Sequence, residues 1–290
     1  MIRMCLFGLL LILQFGCGEK VTVRLGATPW GLDEANDTWW MSTVHVGGQR
    51  WVVGGSPQAG RILHDDGGGF KELPLDANVS LLNWIHRFEG GGFATVGQGG
   101  AVLSSPDGLA WKPEPVDTEQ ALWGVWGASL DDVWVVGGNG WKSGDAVVFR
   151  GPLDDLRPVD VPVLSREKVN AFYKVWGSGP DDVYIVGQKG AILHWDGSAL
   201  VERSLDLTAD LIGIWGTGPN RVAVVGGRGN GVVGLWDGNS WRGIDLAPMA
   251  GLNGVWLRGD TLHAVGVFAT AVKIDFVTGD VLGEEEYLRE

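Results

Sequence analysis

Apolar residues in this chain come in short runs, each broken by Gly, Pro, Asp or Asn. Three stretches carry the pattern most fully. They are L-W-G-V-W-G-A-S-L-D-D-V-W-V-V-G-G at Leu122 to Gly138, Y-K-V-W-G-S-G-P-D-D-V-Y-I-V-G at Tyr173 to Gly187, and I-G-I-W-G-T-G-P-N-R-V-A-V-V-G-G at Ile212 to Gly227. Worn copies lie at Trp39 to Gly54, Leu82 to Gly97 and Leu252 to Gly266. Short apolar runs between turn formers predict strands. No sustained helical spacing appears beyond the first residues.

The pattern repeats. A Trp marks the first strand of each unit at Trp40, Trp84, Trp126, Trp176, Trp215 and Trp256. A Gly closes the second strand at Gly54, Gly97, Gly137, Gly187, Gly226 and Gly266. The period of about 40 residues is that of a four-stranded propeller blade and exceeds the common helical repeats. Each unit reads as strands a to d, apolar at b and most polar at d. The expected fold is all-β, a six-bladed β-propeller of four-stranded antiparallel blades over residues 38–290, with seven blades as the alternative. Val21 to Leu25 alternates like an edge strand and is expected to supply the outer strand of the last blade. The rival source is Gly279 to Tyr287, whose Glu284-Glu285-Glu286 run is expected to fray in solvent.

Composition sharpens this picture. The 48 Gly suit tight turns, and the 16 Trp suit rings wedged between sheets. A net charge of -13 argues against general nucleic-acid binding, which needs a basic footprint. The two cysteines, Cys5 and Cys17, precede the repeats, so the repeats hold no disulfide and no cysteine-ligated metal. Residues 1–16 have a positive Arg3 and an apolar run from Leu6 to Phe15 that is too short to span a membrane, as in a signal segment.

The end of that segment, L-Q-F-G-C at Leu13 to Cys17, resembles a bacterial lipoprotein cleavage box, although Gln14 stands where such boxes usually carry Leu. The resemblance implies that Cys17 is lipidated, that 17–37 is a lipid-anchor linker, and that Gly18-Glu19 directs the protein to the outer membrane. An ordinary secretory signal, giving a periplasmic or secreted protein, is the alternative. S-P-D-G-L-A-W at Ser105 to Trp111 resembles the Asp-box hairpin of sialidase-type and photosystem-assembly-factor-like propellers, with looser relatives at His194 to Gly197 and Leu235 to Gly238. That motif implies a fold and no activity.

No catalytic set emerges. A sialidase-like site needs a Tyr nucleophile, carboxylates and clustered Arg, yet Tyr184 reads as core, Tyr173 precedes strand a and Tyr287 lies in the tail. The five His fall in different units without metal-ligand spacing, and G-G-R-G-N-G at Gly226 to Gly231 opens no helix. Neither a metal nor a cofactor is expected. One distribution does suggest chemistry. In an antiparallel meander the b–c and d–a turns share a face, and the b–c loops carry Arg61, Gln98, Trp141, Lys142, Gln188, Lys189, Arg228 and Asn230. The opposite turns are acidic, from Asp65 to Asp237, with turn-capping as the plain alternative role. A ring of cations and amides on rigid strands would suit an anionic or carboxylate-bearing partner. The expected function is a non-catalytic binding or scaffolding propeller of the cell envelope. It would be monomeric, membrane-attached through Cys17, and partnered by an envelope protein or an anionic or carbohydrate ligand. A glycan-binding or glycan-cleaving propeller is one alternative. An assembly factor for a membrane complex, implied by the photosystem-type resemblance, is the other.

Overall fold

A computed structural model describes residues 38–286 apart from 76–77, 141–143, 166–167 and 204. The signal segment, Cys17, Val21 to Leu25, Trp141 and Lys142 lie outside the described residues. The described chain forms six four-stranded antiparallel sheets, consistent with a six-bladed propeller. Sheet 1 is β1 (Trp39–Val46), β2 (Gln49–Ser56), β3 (Ala59–Asp65) and β4 (Lys71–Leu73). Sheet 2 is β5 (Leu82–Arg87), β6 (Phe93–Gly97), β7 (Val102–Ser105) and β8 (Lys112–Pro113). Sheet 3 is β9 (Leu122–Ser129), β10 (Asp132–Gly137), β11 (Val147–Gly151) and β12 (Arg157–Pro158). Sheet 4 is β13 (Phe172–Gly179), β14 (Asp182–Gly187), β15 (Ile192–Trp195) and β16 (Leu200–Glu202). Sheet 5 is β17 (Leu211–Gly218), β18 (Arg221–Gly226), β19 (Asn230–Trp236) and β20 (Trp241–Ala250). Sheet 6 is β21 (Leu252–Arg258), β22 (Thr261–Gly266), β23 (Thr270–Asp275) and β24 (Val281–Glu286).

The burial gradient follows the strand order. In sheets 2 to 5 the second strands are buried almost throughout, because a neighbouring sheet covers each face. The short fourth strands of sheets 1, 2 and 3 are mostly exposed. First strands of consecutive sheets neighbour one another and form the inner layer. Five apolar clusters fill the junctions from sheets 1–2 to sheets 5–6. Among the described residues no such cluster joins sheet 6 to sheet 1. Val265 of sheet 6 is accordingly only half-buried, whereas its counterparts Val53, Val96, Val136, Val186 and Val225 are all 0% exposed.

The glycine ladder has a direct cause. Where a Cβ would stand on Gly226 lies the Asp210 carbonyl oxygen, 1.9 Å away, and on Gly137 the Ala121 oxygen, 2.2 Å away. Those carbonyls fold over the glycine to accept the next N–H, Gly227 at 2.8 Å and Gly138 at 2.9 Å. The tryptophan ladder holds in only four units. Trp126, Trp176, Trp215 and Trp256 share one register position, but Val44 and His86 fill it in sheets 1 and 2. Trp40 instead pairs with Gly54, as Leu122 does with Gly137, and Trp84 takes the place of Gly124. The true ladder stacks aromatics over glycines. A Cβ on Gly177 would lie 2.6 Å from the Trp126 ring, and one on Gly216 would lie 2.4 Å from the Trp176 ring.

The last sheet corrects the closing-strand expectation. Its fourth strand is the C-terminal β24, with Glu284 opposite Val272 and Glu286 opposite Thr270, so the acidic run is paired. The turn explains why. Asp275 Oδ1 accepts from the Val277 and Thr278 N–H groups at 2.8 and 2.7 Å, and Gly279 adopts φ +81, so the chain is turned back onto β23.

Candidate functional site

The b–c loops after β6, β14 and β22 share one backbone form. Gln98–Gly100, Gln188–Gly190 and Val267–Ala269 each make a single 3-10 turn with a left-handed middle residue. In sheet 2 that residue is Gly99, which carries no penalty there. In sheets 4 and 6 it is Lys189 (φ 56) and Phe268 (φ 57), the two non-glycine residues of the described chain at positive φ. An L side chain in this region costs about 1–2 kcal/mol. Phe268 is also 88% exposed, so no packing in the described chain offsets that strain.

Between sheets 3, 4 and 5 the same face carries a polar network. Arg228 Nε donates to Asp210 Oδ2 at 2.6 Å, and its terminal nitrogen donates to the Tyr173 hydroxyl at 2.8 Å. Asp210, in the d–a turn, also accepts the Lys189 backbone N–H at 3.0 Å. Burial disfavours the Arg228 cation, but Asp210 and Tyr173 together hold its pKa above the ordinary value. Burial pushes the Tyr173 hydroxyl up, so it stays a neutral donor and acceptor. The Tyr173 ring packs edge-on against Trp123 with centroids 6.1 Å apart. Beside this network Ala209, Asp210, Arg228, Asn230 and Asp245 line a recess of about 390 Å³.

The structure thus gathers Gln188, Lys189, Arg228 and Asn230 of the expected ring. Gln188 is a brace: its amide donates to the Gly140 carbonyl at 3.0 Å, and its oxygen accepts the Asn170 N–H at 2.9 Å. Gln98 is half-buried at the start of its turn, where its N–H donates to Leu81. Arg61 is committed inside sheet 1, donating to Glu72 at 2.9 and 2.5 Å and lying over the Trp40 ring. The opposite, acidic turns bond themselves. Asp107, Asp196 and Asp237 each accept backbone N–H groups two and three residues on, which holds the Asp107 and Asp237 carboxyls below the usual range; at Asp196 the Ser198 hydroxyl acts first, with these N–H groups, and draws it down to about 2. Trp111 Nε1 closes the Ser105 to Trp111 hairpin by donating to the Gly108 carbonyl at 3.0 Å.

Sequence reasoning missed Asp210 and Phe268, and set Tyr173 aside. The available signal for Phe268 was its offset: it follows Gly266 by two residues, as Gly99 follows Gly97 and Lys189 follows Gly187.

No family model matches the chain, and no curated protein matches it in sequence. Among solved structures it is similar to YCF48 bound to a D1 peptide, with a TM-score of 0.57 and 15% identity over 80% of this chain and 76% of that one. It is also similar to the computationally designed Ika8 protein, with a TM-score of 0.61 and 12% identity over 86% and 74%. At such identity the likeness is one of fold, and the likeness to YCF48 supports a propeller-like fold for this chain.

Proposed function

We propose that this chain is a non-catalytic binding propeller that captures an extended segment of a partner protein on its b–c/d–a face. One observation carries the reading: Phe268 is displayed to solvent from a strained left-handed loop position where glycine would be at ease. Strained backbone of this kind clusters at ligand clamps and switch regions, and contact with a partner would repay it here. Lys189, in the matching loop of sheet 4, supplies a cation on the same face. YCF48, of similar fold, holds a D1 peptide, and peptide capture is the use of the face that this likeness favours. We further propose export and lipidation at Cys17, which would set the face to work at the cell envelope, with assembly of a membrane complex as one outlet for such capture.

The test is a photo-crosslinking amino acid at position 268 in cells. It should trap an envelope polypeptide, and Lys189→Glu with Arg228→Glu should reduce the yield several-fold. Capture unchanged by both substitutions, or crosslinks to glycan alone, would overturn the reading.

A further inference from the structure

Along the inner layer of first strands, a single register level carries Ser42, Trp84, Gly124, Lys174, Gly213 and Gly254. Each pairs with the corresponding valine of its second strand. Three of the six are glycine, so Trp84 and Lys174 furnish most of this level. Lys174 starts in sheet 4 and reaches back across two neighbours. Its Nζ donates to the Trp123 carbonyl of sheet 3 at 2.8 Å and stands 4.2 Å from the Trp84 ring centroid of sheet 2. Among the described residues no carboxylate lies within ion-pair distance of it. The chain carries 35 acidic against 22 basic residues, and Arg61, Arg150, Arg221 and Arg228 each hold a carboxylate. Lys174 differs from these four: it is a cation of the inner layer held by a carbonyl and a ring.

We propose that Lys174 is a carboxylate-binding group in the inner layer, receiving an acidic side chain of the captured segment. The ammonium has three N–H donors, of which the Trp123 carbonyl takes one. The Trp84 ring offers an apolar wall for the methylenes that precede a Glu carboxylate. One monovalent cation beside one aromatic face fits a carboxylate, whereas a phosphate dianion calls for several converging donors. Desolvation draws the Lys174 pKa down to about 7, and an arriving carboxylate would restore the charged form. The segment as source rests on the peptide-capture reading; the anion site itself does not.

The experiment is NMR of lysine side chains in the full chain, with the Lys174 signal assigned by its loss in Lys174→Gln. Sodium acetate should move that signal saturably, and acetamide and sodium chloride at equal ionic strength should not. Acetyl-Glu-amide should bind about tenfold more tightly than acetyl-Gln-amide, with the difference gone in Lys174→Gln. An absent or non-saturating acetate response overturns the site. Response to acetate with no Glu-over-Gln preference overturns the peptide side chain as its ligand. Because the crosslink at position 268 probes a different place by a different readout, either reading can fail alone.

Discussion

Replacing Gly216 with alanine would drive a methyl group into the ring of Trp176. The new Cβ would lie 2.4, 2.7 and 2.8 Å from three ring carbons. Carbon atoms pack at about 3.5–4.0 Å, so ring or strand must yield by about 1 Å. Trp176 is 9% exposed and packed within the cluster between sheets 4 and 5, which leaves it little room to retreat. Overpacking of this kind costs about 1–3 kcal/mol. Alanine's advantage over glycine inside a strand, roughly 0.5–1 kcal/mol, offsets part of it. The net expectation is about 1–2 kcal/mol of destabilisation, or about 2–8 °C in Tm for a domain of this size. Gly218, two residues on, is the internal control, since nothing lies within 4 Å of its Cβ position and its φ is not positive. Gly218→Ala should leave stability within about 0.5 kcal/mol. Urea unfolding followed by circular dichroism would read both. Trp176→Leu should remove the obstacle, so that Gly216→Ala costs nothing further in that background. Two results would refute the aromatic-over-glycine account. One is equal midpoints for Gly216→Ala and Gly218→Ala, and the other is a Gly216→Ala penalty that persists once Trp176→Leu has removed the ring.

Acid should weaken the fold in two stages. His86, drawn down to about 4 by burial against its bond to the Gly127 carbonyl, resists protonation when folded, so stability begins to fall below the ordinary histidine value near 6.5. By pH 5 that loss is about 1–2 kcal/mol, and His86→Gln should abolish it. The second stage belongs to the c–d turns. The Asp107, Asp196, Asp237 and Asp275 carboxyls are depressed by turn N–H groups and, at Asp196, first by the Ser198 hydroxyl. Their contribution is full above about pH 4 and is lost as pH falls through the folded values, so Asp196→Asn should blunt the drop in urea midpoint between about pH 4 and 2. Phe268→Gly should raise stability by up to about 1 kcal/mol, the left-handed penalty less the chain entropy of glycine, while lowering crosslink yield at neighbouring positions. A destabilised Phe268→Gly protein would show that the ring packs after all.

The repeat was readable because its cause is local. Each closing glycine answers to one carbonyl in its own unit, and that need survives wherever the other residues drift. The tryptophans misled at Trp40 and Trp84 because these stand 14 and 13 residues before their closing glycines, whereas Trp126, Trp176, Trp215 and Trp256 stand 11, 11, 11 and 10 before theirs, an offset that the spacing itself carried. The acidic tail misled because charge argued for solvent, while the capping geometry of Asp275 decided the pairing. At the site, Arg228 and Lys189 were visible as loop cations. Their shared carboxylate, Asp210, comes from a different turn, and contacts across units leave no periodic trace. The left-handed loops were hidden for a further reason: backbone conformation is advertised by glycine, and at Lys189 and Phe268 the advertisement is missing.

Among the described residues, six sheets with five packed junctions leave sheets 1 and 6 as the less clamped members. Each inner sheet is clamped from both sides, whereas sheets 1 and 6 each share one of the five apolar clusters. Opening should therefore begin at the outermost members and move inward, with amide exchange in β2 and β22 outpacing that in β10 and β14. The proposed capture face would ride on this gradient: Arg228 and Lys189 stand on sheets clamped from both sides, and Phe268 on one that shares a single cluster, so that gripping a partner would also slow the opening of sheet 6.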